Sequence, residues 1–123
     1  MIIRQGDWIQ TYTGKAFWPL DAKVEDIDIR DIAHSLSLQC RFNGHVIKFY
    51  SVAEHCVHIA NQLPDELKLQ GLLHDASEAY RCDVPRPLKK LFHDYVEIEI
   101  YLESVISQWA GISFPYHSLV KEY

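Results

Sequence analysis

The pattern of apolar and polar positions predicts a short β-hairpin near the start of the chain. Residues 8–12 and 16–18 are rich in strand-forming residues, and Gly14 lies between them, where a tight turn favours glycine. Pro19 ends the second segment, because proline cannot donate to a sheet ladder. Residues 45–50 also have an extended character, and they are a candidate third strand of the same sheet.

Apolar residues at helical spacing predict two helices after the hairpin. The first begins after Asp28 and stops near Gly44. Five residues form its expected apolar face: Ile29, Ile32, Ala33, Leu36 and Cys40. The second begins at Ser51, because Ser51 and Glu54 have the spacing of a capping box, in which each side chain satisfies a free backbone N–H. It is expected to run to about Leu63.

Two further helices are expected in the second half of the chain. The third covers about 65–80, and its apolar side holds Leu69, Leu72, Leu73 and Ala76. The fourth covers about 87–109 and ends before Gly111, which suits a left-handed cap. Its aromatic residues are expected in the core or in a dimer interface: Phe92, Tyr95, Tyr101 and Trp109. Residues 112–123 look irregular or like the start of another helix.

Together these elements predict a mostly α fold, a compact helical bundle with a small N-terminal β-ribbon, in one domain over residues 1–123. The 48% share of hydrophobic residues is ordinary for a globular protein. The net charge of −5 argues against a broad nucleic-acid or anionic-membrane surface, which needs a basic face. A small phosphate-bearing ligand in a locally positive pocket remains compatible with that charge.

The chain has no apolar run of about 18 residues and no signal-peptide pattern, so we expect a soluble, cytoplasmic protein. Cys40, Cys56 and Cys82 cannot all pair within one chain and form no C-x-x-C motif. They are expected to be free thiols in a reducing cytosol.

The strongest candidate for chemistry is the segment 72–78, where an apolar helix carries His74 and Asp75 side by side. Glu78 is expected one turn beyond His74, on the same face of the helix. Imidazole and carboxylate together suit Mn, Fe, Co, Ni or Zn. His55 is the natural third ligand, if consecutive helices are antiparallel. The alternative for the doublet is a solvated polar edge of the helix.

Two stretches of the chain are similar to a known superfamily. The sequence Tyr-Ser-Val-Ala-Glu-His at 50–55, followed by Leu-Leu-His-Asp-Ala-Ser-Glu at 72–78, resembles the HD-domain metal-dependent phosphohydrolases. Within that superfamily, the chain resembles the small bacterial and prophage proteins related to the 5′-deoxynucleotidases. The resemblance covers about residues 11–111, and further matching stretches lie at 13–15, 40–42 and 83–89.

The resemblance implies a role for each matching residue. His55, His74 and Asp75 match ligands of a divalent transition metal, and Glu78 matches the carboxylate that handles the proton of the attacking water. Three more residues match the substrate-binding positions: Arg41 for phosphate, Phe42 for the aromatic residue that selects the sugar, and Asp83 for the sugar itself.

The sequence departs from the family pattern at two points. Phe42 stands where tryptophan is usual, which leaves the sugar preference open. The family's fourth ligand, an aspartate on a later helix, has no counterpart before Tyr123, although residues 118–123 look like the run that leads into that helix. The expected explanations are a truncated chain, or a site completed by water, by Asp94 or by another subunit.

The remaining polar residues give weaker signals. Lys89 lies in a small basic cluster with Arg86 and Lys90, where it is a candidate phosphate contact or part of a solvated surface. Five histidines are expected to be structural or at the surface: His34, His45, His58, His93 and His117. No Gly-rich phosphate loop and no nucleophile elbow occurs.

The sequence therefore predicts a metal-dependent phosphohydrolase of small nucleotides, most simply a deoxynucleoside 5′-monophosphatase that uses metal-activated water. The alternatives are a deoxynucleoside triphosphate triphosphohydrolase, an inactive nucleotide- or partner-binding module, and a plain helical interaction protein. The expected partner is a small-molecule nucleotide, with a homodimer possible and with no membrane or extended nucleic acid.

Overall fold

The computed structural model describes residues 4–121 and is mostly helical, with one small antiparallel sheet. The predicted hairpin is confirmed: strand β1 (Ile9–Gln10) pairs with strand β2 (Ala16–Phe17), and Ile9 lies opposite Phe17. The turn between the strands is tied to the helical part of the fold by the Asp31 carboxylate. Its oxygens accept hydrogen bonds from the backbone N–H and the hydroxyl of Thr13, at 2.7 and 3.0 Å.

The suggested third strand is wrong, because residues 45–50 form no strand and the sheet among the described residues has two strands. A short 3₁₀ turn (Phe42–Gly44) redirects the chain, since Phe42, Asn43 and Gly44 all have positive φ angles of 58°, 53° and 84°. The chain returns at Ser51, which forms an isolated bridge with Cys40.

Helix α1 (Ile29–Leu38) begins as predicted, with the Asp28 carboxylate accepting from the Arg30 N–H at 2.9 Å. It ends at Leu38, before the expected stop, and Cys40 lies outside it. Ile32 and Leu36 are buried, but Ile29 is 52% exposed and Ala33 is also exposed, so the places of Ile29 and Ala33 on the core face were wrongly predicted. The buried side of α1 is turned toward Asp31, which leaves Ile29 and Ala33 outside it.

Helix α2 (Val52–Asn61) starts with half of the predicted capping box. Ser51 Oγ accepts from the Glu54 N–H at 3.0 Å, while the Glu54 carboxylate lies 3.6 Å from His58 Nε2 instead of returning to the Ser51 backbone. The helix ends at Asn61, near the predicted position.

The predicted third helix is interrupted. Its residues form a 3₁₀ turn (Asp65–Leu67), helix α3 (Lys68–Leu73) and a second 3₁₀ turn (Ala76–Ala79), with His74 and Asp75 at the break. A 3₁₀ turn has about 3.0 residues per turn, so it shifts the phase of the apolar stripe. Leu73 and Ala76 are buried as expected, whereas two predicted core residues are exposed: Leu69 and Leu72.

The predicted fourth helix is also two helices, α4 (Arg86–Lys89) and α5 (His93–Ala110). Gly111 ends α5 in the left-handed conformation, as predicted. Phe92 and Tyr101 lie at the surface rather than in the core. Phe92 is at the break before His93, outside the regular helix. Tyr101 is on α5, and its hydroxyl bonds the backbone of Ala22. A last short helix, α6 (Ser118–Lys121), follows within the segment where a helix start was expected.

The core lies between the hairpin, α1, α2 and α5. Phe17 is fully buried and stacks on Tyr80, with ring centroids 4.0 Å apart. A smaller apolar cluster joins α6 to α2 and contains Ile59, Leu63, Leu67 and Val120. Within residues 4–121, no helix has the length and apolar character needed to span a membrane. All three cysteines carry free thiols.

Candidate metal centre

Three side chains from two neighbouring elements converge on one point. His55 Nε2 and His74 Nε2 lie 3.4 and 3.2 Å from the same carboxylate oxygen of Asp75. One donor atom from each of the three residues lies within 4.8 Å of the others. His55 comes from the first turn of α2, and His74 and Asp75 come from the break after α3. The predicted convergence is therefore confirmed, although the doublet is at a break and not inside a helix.

The His74 ring is held in an orientation that suits a metal ligand. Its Nδ1 donates to the Gly71 carbonyl at 2.6 Å, so Nε2, which faces Asp75, donates to the carboxylate when the ring is protonated and has a lone pair for a metal when it is neutral. Burial by itself lowers the pKa of His74, but the hydrogen bond and the charge of Asp75 outweigh it and raise the pKa. The ring is only 12% exposed, so its position is fixed by packing as well.

The His55 ring has a different partner on its far side. Arg41 Nη1 lies 2.9 Å from His55 Nδ1, and the guanidinium also stacks over the Phe42 ring at 4.7 Å from its centroid. Because a guanidinium has no acceptor, His55 Nδ1 accepts in this contact. Arg41 is thereby held at the edge of the candidate centre.

The pKa values of the two carboxyl groups of the centre, Asp75 and Glu78, are shifted in opposite directions. Burial opposes ionisation of Asp75, but hydrogen bonds from His55 and His74 hold the pKa of its carboxyl well below the usual range. Burial, and then the charge of Asp75, raises the pKa of Glu78 far above its usual range. Glu78 is only 5% exposed, and its Oε1 has no hydrogen-bond partner among the described residues.

These residues line one cavity of about 580 Å³. Every candidate site residue predicted from the sequence lines it: Arg41, Phe42, His55, His74, Asp75, Glu78, Asp83 and Lys89. The Asp83 backbone is fixed by Gln39, whose amide also donates to the Glu78 carbonyl at 2.9 Å. The α1–α2 connection therefore holds the segment that carries Glu78 and Asp83.

Several cavity residues were not singled out from the sequence. Glu99 and Glu103 lie one turn apart on α5, and the cavity is also lined by Tyr116 and Lys121. Lys89 contacts the Glu99 carboxylate, so it is paired inside the cavity wall. The sequence held one signal for Glu99 and Glu103: their helical spacing places them on the same side of α5 as Leu102 and Ile106, which are buried.

Other candidates lie elsewhere. Asp94, one suggested substitute for the fourth ligand, is exposed at the start of α5 and does not line the cavity. His58 is 56% exposed beside Glu54, and His34 stacks on Tyr12 in a separate cavity. The three remaining histidines expected to be structural or at the surface are all exposed: His45, His93 and His117.

No model of a protein family matches the chain. It is 45% identical over 105 residues to the uncharacterized protein YfdR of Escherichia coli K12. It is also 34% identical over 115 residues to the uncharacterized protein RCAP_rcc00048 of Rhodobacter capsulatus. Each match includes 85% of this chain and spans 59% of the relative. The chain is therefore similar to longer bacterial proteins, both of them uncharacterized.

Proposed function

We propose that the chain is a metal-dependent phosphohydrolase of small nucleotides, of the HD-domain type that its motifs resemble. One observation carries the proposal: the donors of His55, His74 and Asp75 surround one point, beside the buried carboxyl of Glu78, whose Oε1 has no hydrogen-bond partner within residues 4–121. A buried carboxyl oxygen without a hydrogen-bond partner is costly, and a catalytic role beside a metal accounts for that cost.

The donor set fits a divalent transition metal. Two imidazoles and one carboxylate, with water in the remaining position, form a usual catalytic arrangement. The Gly71 carbonyl fixes the His74 ring from behind, as is common for metal-binding histidines. Manganese, cobalt, iron, nickel and zinc all remain candidates. When bound, the ion supplies a water of lowered pKa and polarises a phosphoryl oxygen.

The residues of the chain would divide the remaining work. Glu78, close to Asp75 in the cavity, would be ionised when a cation is bound beside it, and would then accept the proton of the attacking water and later protonate the leaving oxygen. Arg41 and Lys89 would bind the phosphate, since each places a cation in the cavity. Asp83 would accept a hydrogen bond from a sugar hydroxyl, and Phe42 would contact the sugar.

The size of the cavity supports a small nucleotide as substrate. Its volume of about 580 Å³ lies in the range of small-molecule sites. A deoxynucleoside 5′-monophosphate is the simplest substrate for this arrangement. A deoxynucleoside triphosphate, cleaved to release tripolyphosphate, is the alternative, and an inactive nucleotide- or partner-binding module is the second alternative.

Metal content and product analysis test the proposal. Elemental analysis of the chain after reconstitution with manganese should find about one equivalent of metal, as one catalytic site requires. The metal should disappear in His74→Ala and persist in His58→Ala, a matched control outside the cavity. Orthophosphate released from a deoxynucleoside monophosphate would support the first substrate, and tripolyphosphate the second. A chain that binds no metal under these conditions would refute the proposal.

A further inference from the structure

One wall of the cavity is built on a buried ion network that the motifs do not include. Arg81 Nη1 lies 3.1 Å from Glu99 Oε2, and the ammonium of Lys89 contacts the same oxygen. The side chains of Arg81 and Glu99 are 5% and 13% exposed. Lys89 is 30% exposed and lines the cavity, whereas Arg81 is not among the lining residues. Glu99 therefore stands between a buried cation and a cation that faces the cavity.

Arg81 is immobilised by further contacts. Its Nε donates to Ser77 Oγ at 2.9 Å, and its Nη1 donates to the Cys82 carbonyl and the Tyr95 hydroxyl at 3.2 and 3.1 Å. These bonds leave Arg81 little freedom to turn toward the cavity. The Arg81 guanidinium therefore pairs with the Glu99 carboxylate, because a buried carboxylate needs a partner of opposite charge.

The network has one positive charge in excess, and that charge is on Lys89. Two cations share a single carboxylate, and Arg81 already compensates it. The contact with Glu99 is an ion pair, and an ammonium has three donors, so Lys89 retains donors for an anion in the cavity. Burial, and then Glu99, raises the pKa of nearby Glu103 to about 7, so that carboxyl is not fully ionised near neutral pH.

We propose that Glu99 is a positioning residue, which holds the Lys89 ammonium at the cavity wall, ready to bind the phosphate group of a substrate. A lysine side chain has many rotamers, and fixing it before binding removes that entropic cost from the binding step. The substrate class rests on the proposed function, whereas the anion contact itself requires no turnover.

The test is the affinity of the full chain, reconstituted with manganese, for inorganic phosphate by calorimetry. Lys89→Met should weaken phosphate binding by about 10- to 100-fold, the usual worth of a charge-assisted hydrogen bond. Glu99→Gln should also weaken it, by about 3- to 10-fold for the lost preorganisation. Charge alone would predict tighter phosphate binding by Glu99→Gln, because that substitution removes a negative charge near the bound anion.

Two neighbouring variants serve as matched controls, Lys90→Met and Glu97→Gln. Lys90 directly follows α4, and Glu97 is on α5; both are exposed and do not line the cavity, so phosphate affinity should change by less than about twofold. Affinity for deoxyadenosine, which has no phosphate, should not change in any variant, and this result would show that the cavity is intact.

The outcomes separate this inference from the proposed function. Loss of phosphate affinity in both Lys89→Met and Glu99→Gln, in a chain that hydrolyses no nucleotide, would support the network and refute the activity. Unchanged or tighter phosphate binding by Glu99→Gln would overturn the inference, and so would unchanged binding by Lys89→Met. Lys89 is partly exposed, so its variant should fold even if Glu99→Gln does not.

Discussion

The guanidinium of Arg41 donates to Nδ1 of His55 at 2.9 Å, on the side of the ring opposite the candidate metal centre. This contact requires the proton of a neutral His55 ring to be on Nε2, which faces Asp75. A metal bound through Nε2 requires that proton on Nδ1, where it opposes the Arg41 donor. Metal binding by His55 and its hydrogen bond from Arg41 therefore compete.

Replacing Arg41 should strengthen metal binding. In Arg41→Met the competing hydrogen bond is absent, and we expect the dissociation constant for manganese to fall by about 2- to 10-fold, the worth of one hydrogen bond. Arg86→Met is the matched control, because it also removes one positive charge from the cavity lining but has no contact with a metal ligand. Equal effects of the two variants, in a calorimetric titration, would contradict the competition.

Glu78→Gln should separate metal binding from turnover. The amide keeps the size of the side chain but cannot accept the proton of the attacking water, so we expect phosphate release to fall by about 10²- to 10⁴-fold. Metal content should stay near that of the unmodified chain, since Glu78 is not one of the three converging donors. Glu54→Gln, at an exposed carboxylate outside the cavity, is the control, and full activity of Glu78→Gln would exclude the role.

Ser51→Ala should destabilise the helix that carries His55. Loss of the hydrogen bond from the Glu54 N–H to Ser51 Oγ should lower the free energy of unfolding by about 1 kcal/mol, as is typical for a helix N-cap. Urea denaturation measures the change. Ser104→Ala is the control, because Ser104 is a half-buried α5 residue whose hydroxyl donates to a carbonyl of its own helix. A similar loss in both variants would argue against a specific cap.

Glu103 should make the stability of the fold depend on pH. Burial, and then Glu99, raises its pKa to about 7 from the usual 4.5, so the folded state favours the protonated carboxyl. The protonated Glu103 carboxyl contributes its full stability to the folded state below pH 4.5, and this contribution is lost as the pH rises through about 7. Glu103→Gln should therefore match the unmodified chain at acidic pH and exceed its stability at alkaline pH.

Urea denaturation at several pH values tests this difference. Subtracting the free energies of unfolding of the two proteins at each pH cancels the contributions of the other ionisable groups near Glu103. These groups include Glu99, Arg81, Lys89 and Asp75. A difference in the free energy of unfolding that stays constant across the pH range would show that Glu103 titrates normally.

The sequence by itself determined the local features of this protein. Asp28 and Ser51 cap their helices, and Gly111 ends α5, because each depends on hydrogen bonds or backbone angles within a few residues. The hairpin follows from the same kind of signal around Gly14. The His55, His74 and Asp75 group was also predictable, since a short connection makes neighbouring helices antiparallel and brings fixed positions on them to the same height.

Only the tertiary structure decided the breaks in the helices and the far wall of the cavity. The apolar period continues through His74 and Asp75, yet the backbone leaves the α-helix there, at φ −105° and ψ 11° for Asp75. Glu99 on α5 contacts Arg81, which follows the second 3₁₀ turn, and Lys89 on α4, so three separate parts of the chain form this network. Burial of charge depends on which elements pack together, and local spacing does not contain that information.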